Sequence, residues 1–290
     1  MTAGLLAGGD FDVFVPTFYG YDFLGRLGGK PFVLFVPDMI TELYPQFFPA
    51  GDLQNVGRRK LAPLAAAIMV PTQNTKNDVV RLLGVDESKV HVISHGISAG
   101  YGKRVLQGRP HFPYILYVGH RRVYKGFDKF MAGVKPVLDK RKDLMVLCTG
   151  PAFQDDEIRR LQSMGIAGRV AYFHAPDDVQ MATLYRNAEA FVYPSEYEGF
   201  GIPILEAYAS DCPVLLNDNP CFREVAGSAA VFYDNGDPTA VAAAAERVLS
   251  MHPADRQALL AAQRQRLSLY SWEKTADKVA GVYRGVVYGA

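Results

Sequence analysis

The chain has 290 residues, 49% hydrophobic and 21% charged, with a formal net charge of +1 at neutral pH. This size and apolar content can bury one large or two modest cores. The charge provides no global basic field, and aromatic and basic residues are not interleaved, so we expect no nucleic-acid partner. No apolar run approaches the roughly 20 residues of a membrane span, and the N-terminus lacks the basic start of a signal peptide. These features predict a cytoplasmic protein.

The cysteines and histidines do not form a metal-binding or disulfide pattern. Cys148, Cys212 and Cys221 lie in apolar or turn contexts and match no Cys-x-x-Cys spacing. We therefore interpret them as small buried residues of a protein from a reducing compartment. The six histidines are scattered along the chain. The sequence predicts no structural metal.

The first third of the chain alternates apolar runs with turn residues. Strands are predicted at 11–16, 32–36, 67–71 and 90–94, and a helix is predicted from about Asn74. An aromatic loop with Phe18, Tyr19 and Tyr21 follows the first of these strands. Its rings could stack on a sugar or belong to a core or lid, and the sequence leaves both open. Gly96 to Pro113 is rich in glycine and proline, which indicates a linker.

The rest of the chain alternates strands and helices, a pattern that predicts a parallel sheet covered on both faces. Strands are predicted at 114–118, 144–149, 169–173, 190–193 and 213–216. Helices are predicted at 126–139, 154–163, 179–187, 203–210 and 238–250, with a last amphipathic helix after Trp272. The fold class is therefore α/β.

A basic turn follows the predicted strand 114–118. Gly119 is followed by His120, Arg121 and Arg122, and Lys125 comes shortly after. In open α/β sheets, ligands bind at the carboxyl ends of strands, where an arginine fork and a lysine can neutralise a diphosphate. The alternative is an exposed basic turn, which is the usual role of such runs.

The segment 194–206 places two carboxylates eight positions apart around a glycine-flanked aromatic residue. Glu198 precedes Gly199, Phe200 and Gly201, and Glu206 lies in the helix that follows. Such a strand-to-helix turn directs backbone N–H groups and the positive end of a helix dipole at a ligand, and glycine permits close approach. The alternative is an ordinary connection with a solvated Glu198.

Together the two segments resemble the phosphate loop and the Glu-x7-Glu signature of retaining glycosyltransferases of family 4, which have two Rossmann-like domains (the GT-B fold). The resemblance implies a reaction that keeps the anomeric configuration. It implies that Glu198 faces the donor sugar, that Glu206 holds the ribose hydroxyls, and that Arg121 and Lys125 stabilise the leaving diphosphate. It further implies that the donor is also contacted by a set of loop residues: Gly199, Phe200, Gly201, Gly119, Gly150 and Phe173.

The resemblance also implies the domain organisation. Residues 1–95 correspond to an acceptor-side Rossmann-like domain, 96–112 to a linker, 113–271 to the nucleotide-sugar domain, and 272–290 to a C-terminal helix that returns to the first domain. Relatives begin with a βαβ unit that is not found here, so the N-terminal domain is expected to be incomplete. Pro37 stands where relatives have a polar residue facing the reaction centre, and its side chain can neither donate nor accept a hydrogen bond. Asp38 beside it is interpreted as a helix cap.

We therefore expect transfer of a hexosyl group from a nucleoside-diphosphate sugar, such as a GDP- or UDP-hexose, to a saccharide or lipid-linked saccharide. The product would belong to surface polysaccharide or glycoconjugate synthesis. No metal and no cofactor is expected, because cationic side chains take their place. Association with the inner membrane face and with further copies of the chain is left open. A donor-binding but catalytically silent partner subunit is the main alternative, and a nucleotide-sugar epimerase is a further one.

Overall fold

The computed structural model describes residues 4, 6 and 8–289, except 103–109 and 176. The chain divides into two compact units. The first is made of Met1–Gly96, Glu198–Phe200 and Tyr270–Ala290, and the second of Ile97–Tyr197 and Gly201–Leu269. Most of the predicted linker at 103–109 lies outside the described residues, and the predicted domain boundaries remain predictions.

The first unit is built on a parallel sheet in the order β1-β2-β3, with β1 Val33–Phe35, β2 Ala67–Val70 and β3 Val90–Val92. The helices in the described part of its first 96 residues include α1 Ile40–Leu43, α2 Leu53–Leu61 and α3 Gln73–Leu83. Short 3-10 helices occur at Leu24–Arg26, Pro45–Phe47, Ala62–Leu64 and Glu87–Lys89. The Thr72 hydroxyl caps α3, and Gly84 ends it with a φ of 65°.

The second unit contains six parallel strands. In chain order they are β4 Tyr114–Val118, β5 Met145–Thr149, β6 Val170–Tyr172, β7 Ala190–Tyr193, β8 Val214–Asn217 and β9 Val231–Tyr233. Their order in the sheet is β6-β5-β4-β7-β8-β9. This is the doubly wound arrangement, in which the direction of winding reverses between β4 and β7. The carboxyl ends of those two strands are therefore the expected binding position.

Helices cover this sheet. They are α4 Phe127–Lys140, α5 Asp155–Ser163, α6 Asp178–Asn187, α7 Ile202–Ala209, α8 Pro220–Ala226, α9 Pro238–Leu249 and α10 Pro253–Leu267. Short 3-10 helices occur at Ala99–Gly102, Val123–Lys125 and Ala167–Arg169. On one face, α4 and α9 pack closely because Gly133 has no side chain. A Cβ there would lie 2.6 Å from the Cβ of Val241.

The last helix, α11 Trp272–Tyr288, belongs to the first unit. Its Val279, Val282, Tyr283 and Val286 pack against a core that contains Val33 and Met69. The Thr275 hydroxyl donates to the Ser94 carbonyl at 2.7 Å. These contacts attach α11 to the three-stranded sheet.

Several predicted elements differ from the structure. The predicted strand 11–16 is wrong in extent, because only Phe14 forms a bridge, to Phe32. Helix α8 was not among the helices predicted from the sequence. Strand β9 and helices α2 and α10 were not predicted.

The prediction that the three cysteines are buried is confirmed. No helix in the described part of the chain is long and apolar enough to cross a membrane. Among the same residues, no three His, Cys, Asp or Glu side chains form a group that could hold a metal ion.

Candidate functional site

Two glycine turns form the carboxyl-end edge of the second unit's sheet. Gly119 follows β4 with a φ of 117°, and Gly150 follows β5 with a φ of 126°. A Cβ on Gly150 would lie 2.7 Å from the Gly119 carbonyl oxygen. Both the positive φ angles and the close approach require glycine. The structure thus places two predicted ligand-contact residues side by side.

Arg121 is almost wholly buried behind the first of these turns. Its Nε and Nη2 pair with Glu157 at 2.9 and 3.0 Å, and Nη2 also donates to the carbonyls of Pro151 and Ala152. The guanidinium stacks over Phe153, 4.0 Å from the ring centroid. Although burial alone would raise the pKa of Glu157, hydrogen bonds from Arg121 and the Gln154 backbone hold it below its ordinary value.

One nitrogen of Arg121 remains without a partner. Nη1 is buried and has no hydrogen-bond partner among the described residues, while the side chain as a whole is only 2% exposed. A buried guanidinium N–H without an acceptor is costly. The arginine is therefore held in place by Glu157, with one buried donor group that has no acceptor among the described residues.

The other cations of the turn are more accessible. Lys125 ends the 3-10 helix Val123–Lys125, and its Nζ lies 5.3 Å from the centroid of the Tyr124 ring and 6.0 Å from that of Tyr193. His120 is exposed, and its pKa is lowered by partial burial and by Arg122, Lys125 and Arg121. His120 is therefore neutral at neutral pH, while Arg122 is exposed and Lys125 is partly exposed beside β4.

Three asparagines hold the start of the segment that follows β7. Asn217 and Asn219 each donate to the Ser195 carbonyl at 3.0 Å. Asn235 donates to the Pro194 carbonyl at 3.1 Å and to the Gly126 carbonyl at 3.0 Å. These asparagines were not predicted as site residues. Asn217 ends β8 and Asn235 follows β9, so polar residues at strand ends were the available signal.

Further along the same segment, Glu198, Gly199 and Phe200 belong to the first unit. The Gly199 carbonyl oxygen lies 2.9 Å from the Thr72 hydroxyl and 3.2 Å from the Thr75 hydroxyl. A Cβ on Gly199 would lie 1.7 Å from the Pro37 carbonyl oxygen. Glu198 is 7% exposed. Neither threonine was predicted as a site residue, because both are more than a hundred residues away in sequence.

The side chain of Phe200 packs among aromatic rings of the first unit. Its centroid lies 5.0 Å from that of His95 and 5.6 Å from that of Tyr270, both in edge-on geometry. Trp272 is 6.2 Å from His95. Burial lowers the pKa of His95, so the imidazole is neutral at neutral pH. Phe200 therefore anchors this segment by its side chain, which leaves its backbone as the part that could contact a ligand.

The Pro37 turn is anchored by an arginine that the sequence did not single out. Arg58 is fully buried, forms ion pairs with Asp38 at 3.7 Å and Glu42 at 3.2 Å, and donates to the Asp38 carbonyl. Asp38 accepts from the Ile40 N–H at 2.9 Å, although the N-cap of α1 is Met39, which makes no side-chain cap.

The aromatic loop divides into buried and exposed residues. Tyr19 is buried, donates to the Phe35 carbonyl at 3.1 Å and lies against Arg58. Burial raises its pKa well above the ordinary value. Phe18 is 53% exposed, and the ring of Tyr21 lies 3.8 Å from Lys60 Nζ. Of the two interpretations left open, core packing describes Tyr19.

Glu206 lies in a cluster of hydroxyl and carboxyl groups in the second unit. Its Oε2 accepts from the Tyr185 hydroxyl at 2.9 Å, and Tyr101 donates to Asp178 at 3.4 Å while also bonding to Glu206. Burial raises the pKa of Glu206, hydrogen bonds from the two tyrosines oppose this, and the Asp178 charge adds to it. Gly201, with a φ of 97°, precedes α7 and allows the chain to turn into it.

Phe173 follows β6, and its backbone N–H donates to the Cys148 carbonyl at 2.9 Å. Its side chain is partly exposed, while the neighbouring Tyr172 donates to the Gly150 carbonyl at 2.9 Å. Pro176, three residues after Phe173, lies outside the described residues. Gly119, Gly150 and Phe173 thus share the carboxyl-end edge formed by β4, β5 and β6.

Comparison with known proteins agrees with this architecture. Sucrose-phosphate synthase from Thermosynechococcus elongatus superposes with a TM-score of 0.80 at 19% identity, covering 100% of this chain and 77% of that one. Because that protein has the GT-B fold, the predicted α/β class with two Rossmann-like domains is confirmed.

Sequence relatives point to one family. The O-antigen chain mannosyltransferase RfbU of Salmonella typhimurium is 26% identical over 202 residues, which is 68% of this chain and 56% of that protein. O-antigen chain mannosyltransferase B of Escherichia coli is 28% identical over 256 residues, 83% of this chain and 66% of that protein. The chain thus spans about three fifths of these relatives. The family model for glycosyl transferases group 1 matches residues 103–266, more than half of the chain, and the chain therefore belongs to the glycosyl transferases group 1 family.

Proposed function

We propose that this protein transfers a hexosyl group from a nucleoside-diphosphate sugar to a saccharide or lipid-linked saccharide, as a family 4 enzyme that retains the anomeric configuration. The observation that carries the proposal is the winding reversal between β4 and β7. A basic glycine turn follows β4, and the Glu-x7-Glu segment follows β7. In doubly wound sheets a nucleotide binds at this position.

The donor's nucleoside diphosphate is assigned to the second unit. Glu206 accepts hydrogen bonds from the ribose hydroxyls, because its carboxylate is already oriented by Tyr185. The turns at Gly119 and Gly150 let the diphosphate approach the backbone. Arg121 Nη1 and Lys125 Nζ stabilise the negative charge that builds on the diphosphate as the sugar leaves. These cations do the work that a divalent metal does in other transferases, so the reaction is metal-independent.

The donor sugar is assigned to Glu198 and the backbone of Gly199 and Phe200. In the retaining mechanism the acceptor hydroxyl attacks on the face from which the diphosphate leaves, and a diphosphate oxygen takes the proton. The first unit, which carries these three residues, is proposed as the acceptor side, and the second as the nucleotide-sugar side. Pro37 contributes its carbonyl to the packing of Gly199 rather than a side-chain hydrogen bond.

The relatives support the class of substrate. Two of them are named as mannosyltransferases of an O-antigen chain, which favours a GDP- or UDP-hexose donor and a growing surface polysaccharide as acceptor. The fold neighbour is named as a synthase of a phosphorylated disaccharide. Transfer to a saccharide agrees with all three names, and polysaccharide synthesis agrees with the two mannosyltransferases.

A donor-binding but catalytically silent partner subunit is the second candidate. Two observations favour it. Arg121 already donates hydrogen bonds from Nε and Nη2 to Glu157 and nearby carbonyls. The side chain of Pro37 can form no hydrogen bond. Such a subunit would bind the nucleoside diphosphate without turning over the sugar. Both candidates therefore bind the nucleoside diphosphate, but only the transferase moves the sugar to an acceptor.

The first experiment is thermal unfolding of the purified chain with UDP, GDP, ADP or dTDP, without metal. A ligand that binds only the folded state raises the midpoint by mass action. We expect one diphosphate to raise it and an Arg121→Ala, Glu206→Ala double variant to lose the shift. The matching nucleotide sugar is then incubated with saccharide acceptors, and the anomeric configuration of the product is read by NMR. A shift without transfer supports the silent subunit, and no shift with any diphosphate contradicts both candidates.

A further inference from the structure

Two threonine hydroxyls meet one backbone carbonyl at the middle of the Glu-x7-Glu segment. Thr72 and Thr75 are 1% and 0% exposed, and their Oγ1 atoms lie 2.9 and 3.2 Å from the Gly199 carbonyl oxygen. A buried hydroxyl is costly unless it is hydrogen-bonded. Within the described residues, Thr75 Oγ1 forms hydrogen bonds only with the Gly199 carbonyl and the Thr72 hydroxyl.

The hydrogen-bonding capacity of the two hydroxyls decides where their protons go. Thr72 Oγ1 accepts from the Thr75 backbone N–H at 3.1 Å, which caps α3. Each hydroxyl has one proton to donate, and the two oxygens are 3.0 Å apart. Whether both donate directly or one donates through the other, at least one O–H is given to Gly199. The carbonyl thus has a donor in every arrangement.

The neighbouring contacts leave Gly199 no second position. Its α-carbon packs on the Pro37 carbonyl so closely that even a methyl group would collide. Phe200 is held by His95 and Tyr270. Because the peptide unit is planar, a fixed Gly199 carbonyl also fixes the direction of the N–H that follows it. Glu198 is bonded directly to Gly199, so its position is restrained by the held glycine.

We propose that Thr72 and Thr75 are positioning residues, which hold the Gly199 carbonyl so that Glu198 and the adjacent backbone meet the donor sugar. This inference rests on the proposed function. It assigns the two hydroxyls a role in the sugar half of the donor site. The nucleoside diphosphate, which is assigned to Arg121, Lys125 and Glu206, does not depend on them.

Thr75 is the better residue for a test, because its hydroxyl does not cap α3. Thr72 supplies the cap, and replacing it also weakens the helix. Thr75→Val keeps the shape and removes the hydroxyl, whereas Thr75→Ser keeps the hydroxyl. Thr183→Val is the matched control, since the Thr183 hydroxyl is buried and donates to the Val179 carbonyl at 2.8 Å.

The measurements are the Kd of the nucleoside diphosphate that stabilises the wild-type chain and kcat/KM for transfer from the corresponding nucleotide sugar. For Thr75→Val we expect diphosphate affinity within twofold of wild type and kcat/KM about 10- to 100-fold lower, because a displacement of about 1 Å can cost that much. Thr75→Ser should stay within threefold, as should Thr183→Val. The Thr72→Val, Thr75→Val double variant should lose more than either single variant.

The outcomes separate this inference from the function on which it rests. If wild type neither binds a diphosphate nor transfers sugar, the proposed function fails. If wild type is active and Thr75→Val is equally active, the positioning role is overturned. Equal losses in Thr75→Val and Thr75→Ser overturn it as well, because volume rather than the hydroxyl would then matter. A parallel loss of diphosphate affinity and transfer indicates general damage to the fold and also overturns it.

Discussion

Arg121 and Glu206 show how single residues of this site combine a structural bond with remaining capacity for a ligand. Arg121 donates hydrogen bonds to Glu157 from Nε and Nη2, while Nη1 has no hydrogen-bond partner among the described residues. Glu206 accepts a hydrogen bond from the Tyr185 hydroxyl with one carboxylate oxygen. A side chain locked by one hydrogen bond loses less conformational entropy when it binds a ligand with the next. Their partners should therefore matter for binding almost as much as the residues themselves.

Tyr185→Phe tests this for Glu206. Burial raises the pKa of the Glu206 carboxyl group, and the hydrogen bond from Tyr185 lowers it in part. In the proposed site an ionised Glu206 accepts the ribose hydroxyls, so we expect diphosphate affinity to fall as the pH drops through that pKa. Without the hydroxyl the pKa rises further. We expect about tenfold weaker binding, corresponding to the ~1.4 kcal/mol of one hydrogen bond to a charged group, and a decline that begins at higher pH.

The control for this prediction is another tyrosine of the same unit. Tyr208 is buried on α7 and donates to the Ala229 carbonyl at 2.8 Å. Tyr208→Phe should lower stability without moving the pH profile of diphosphate binding, measured by calorimetry from pH 5 to 8. If Tyr185→Phe and wild type show the same profile, Tyr185 does not set the ionisation of Glu206.

Glu157→Gln tests the same idea for Arg121. The amide cannot hold the guanidinium as an ion pair, so the arginine loses its fixed orientation. We expect diphosphate affinity to fall about tenfold. Asp156→Asn on the same helix is the control, because its pair with Arg160 is solvent-exposed and contributes little. Tighter diphosphate binding in Glu157→Gln would show that Glu157 competes with the ligand instead of orienting the arginine.

At the scale of elements, the asparagines connect strand ends to the functional segment. Asn235 is buried and is the donor to two carbonyls, Gly126 and Pro194. A Cβ on Gly126 would itself lie 2.2 Å from the Pro194 carbonyl oxygen. The turn before α4 and the segment after β7 are therefore held together by one amide group.

Asn235→Ala leaves the buried Pro194 carbonyl without this donor, whereas the Gly126 carbonyl still accepts from the Phe130 N–H at 3.0 Å. An unsatisfied buried group costs about 1–3 kcal/mol, and we expect the free energy of unfolding to fall by about that amount. Urea denaturation followed by circular dichroism measures it. Asp234→Asn, at an exposed neighbouring position, should change stability by less than about 0.5 kcal/mol. An unchanged stability in Asn235→Ala would mean that water replaces the amide.

The sequence predicted those elements whose local pattern agrees with their burial. The run at 114–118 is apolar throughout, and β4 has these bounds in the centre of the sheet. Helix α10 was not predicted because it buries little apolar surface, Gln263 being its one buried residue in the structure. The segment 11–16 has a strand pattern, but strand hydrogen bonds need a partner, and only Phe14 has one.

The candidate site was predictable only where its residues are close in sequence. The glycine turns and the two glutamates lie on recognisable strand-to-helix connections. The bonds from Arg121 to Glu157, from Tyr185 to Glu206 and from Thr72 to Gly199 join residues 36, 21 and 127 positions apart. Such pairs depend on how the strands are ordered in space, which local patterns do not encode.

At the scale of the whole molecule, the two units carry different parts of the proposed chemistry. The second unit has its own six-stranded sheet and a continuous core that joins β4, β5, β7 and β8 to α4 and α9. It contains Arg121, Lys125 and Glu206. The residues that hold the sugar-facing segment, Thr72 and Thr75, lie in the first unit. Nucleotide binding and sugar transfer should therefore be separable.

A chain limited to residues 97–269 tests this separation, because it keeps the second unit whole and lacks both threonines. With its own core and all six strands, it should unfold cooperatively, and the diphosphate that stabilises the full chain should raise its melting temperature. An Arg121→Ala, Glu206→Ala version should lose that shift. Transfer from the nucleotide sugar should be undetectable, since Gly199 has lost both hydroxyl partners. A fragment that transfers sugar at the full-chain rate would contradict this division, and one that folds but binds no diphosphate would place the nucleotide site outside the second unit alone.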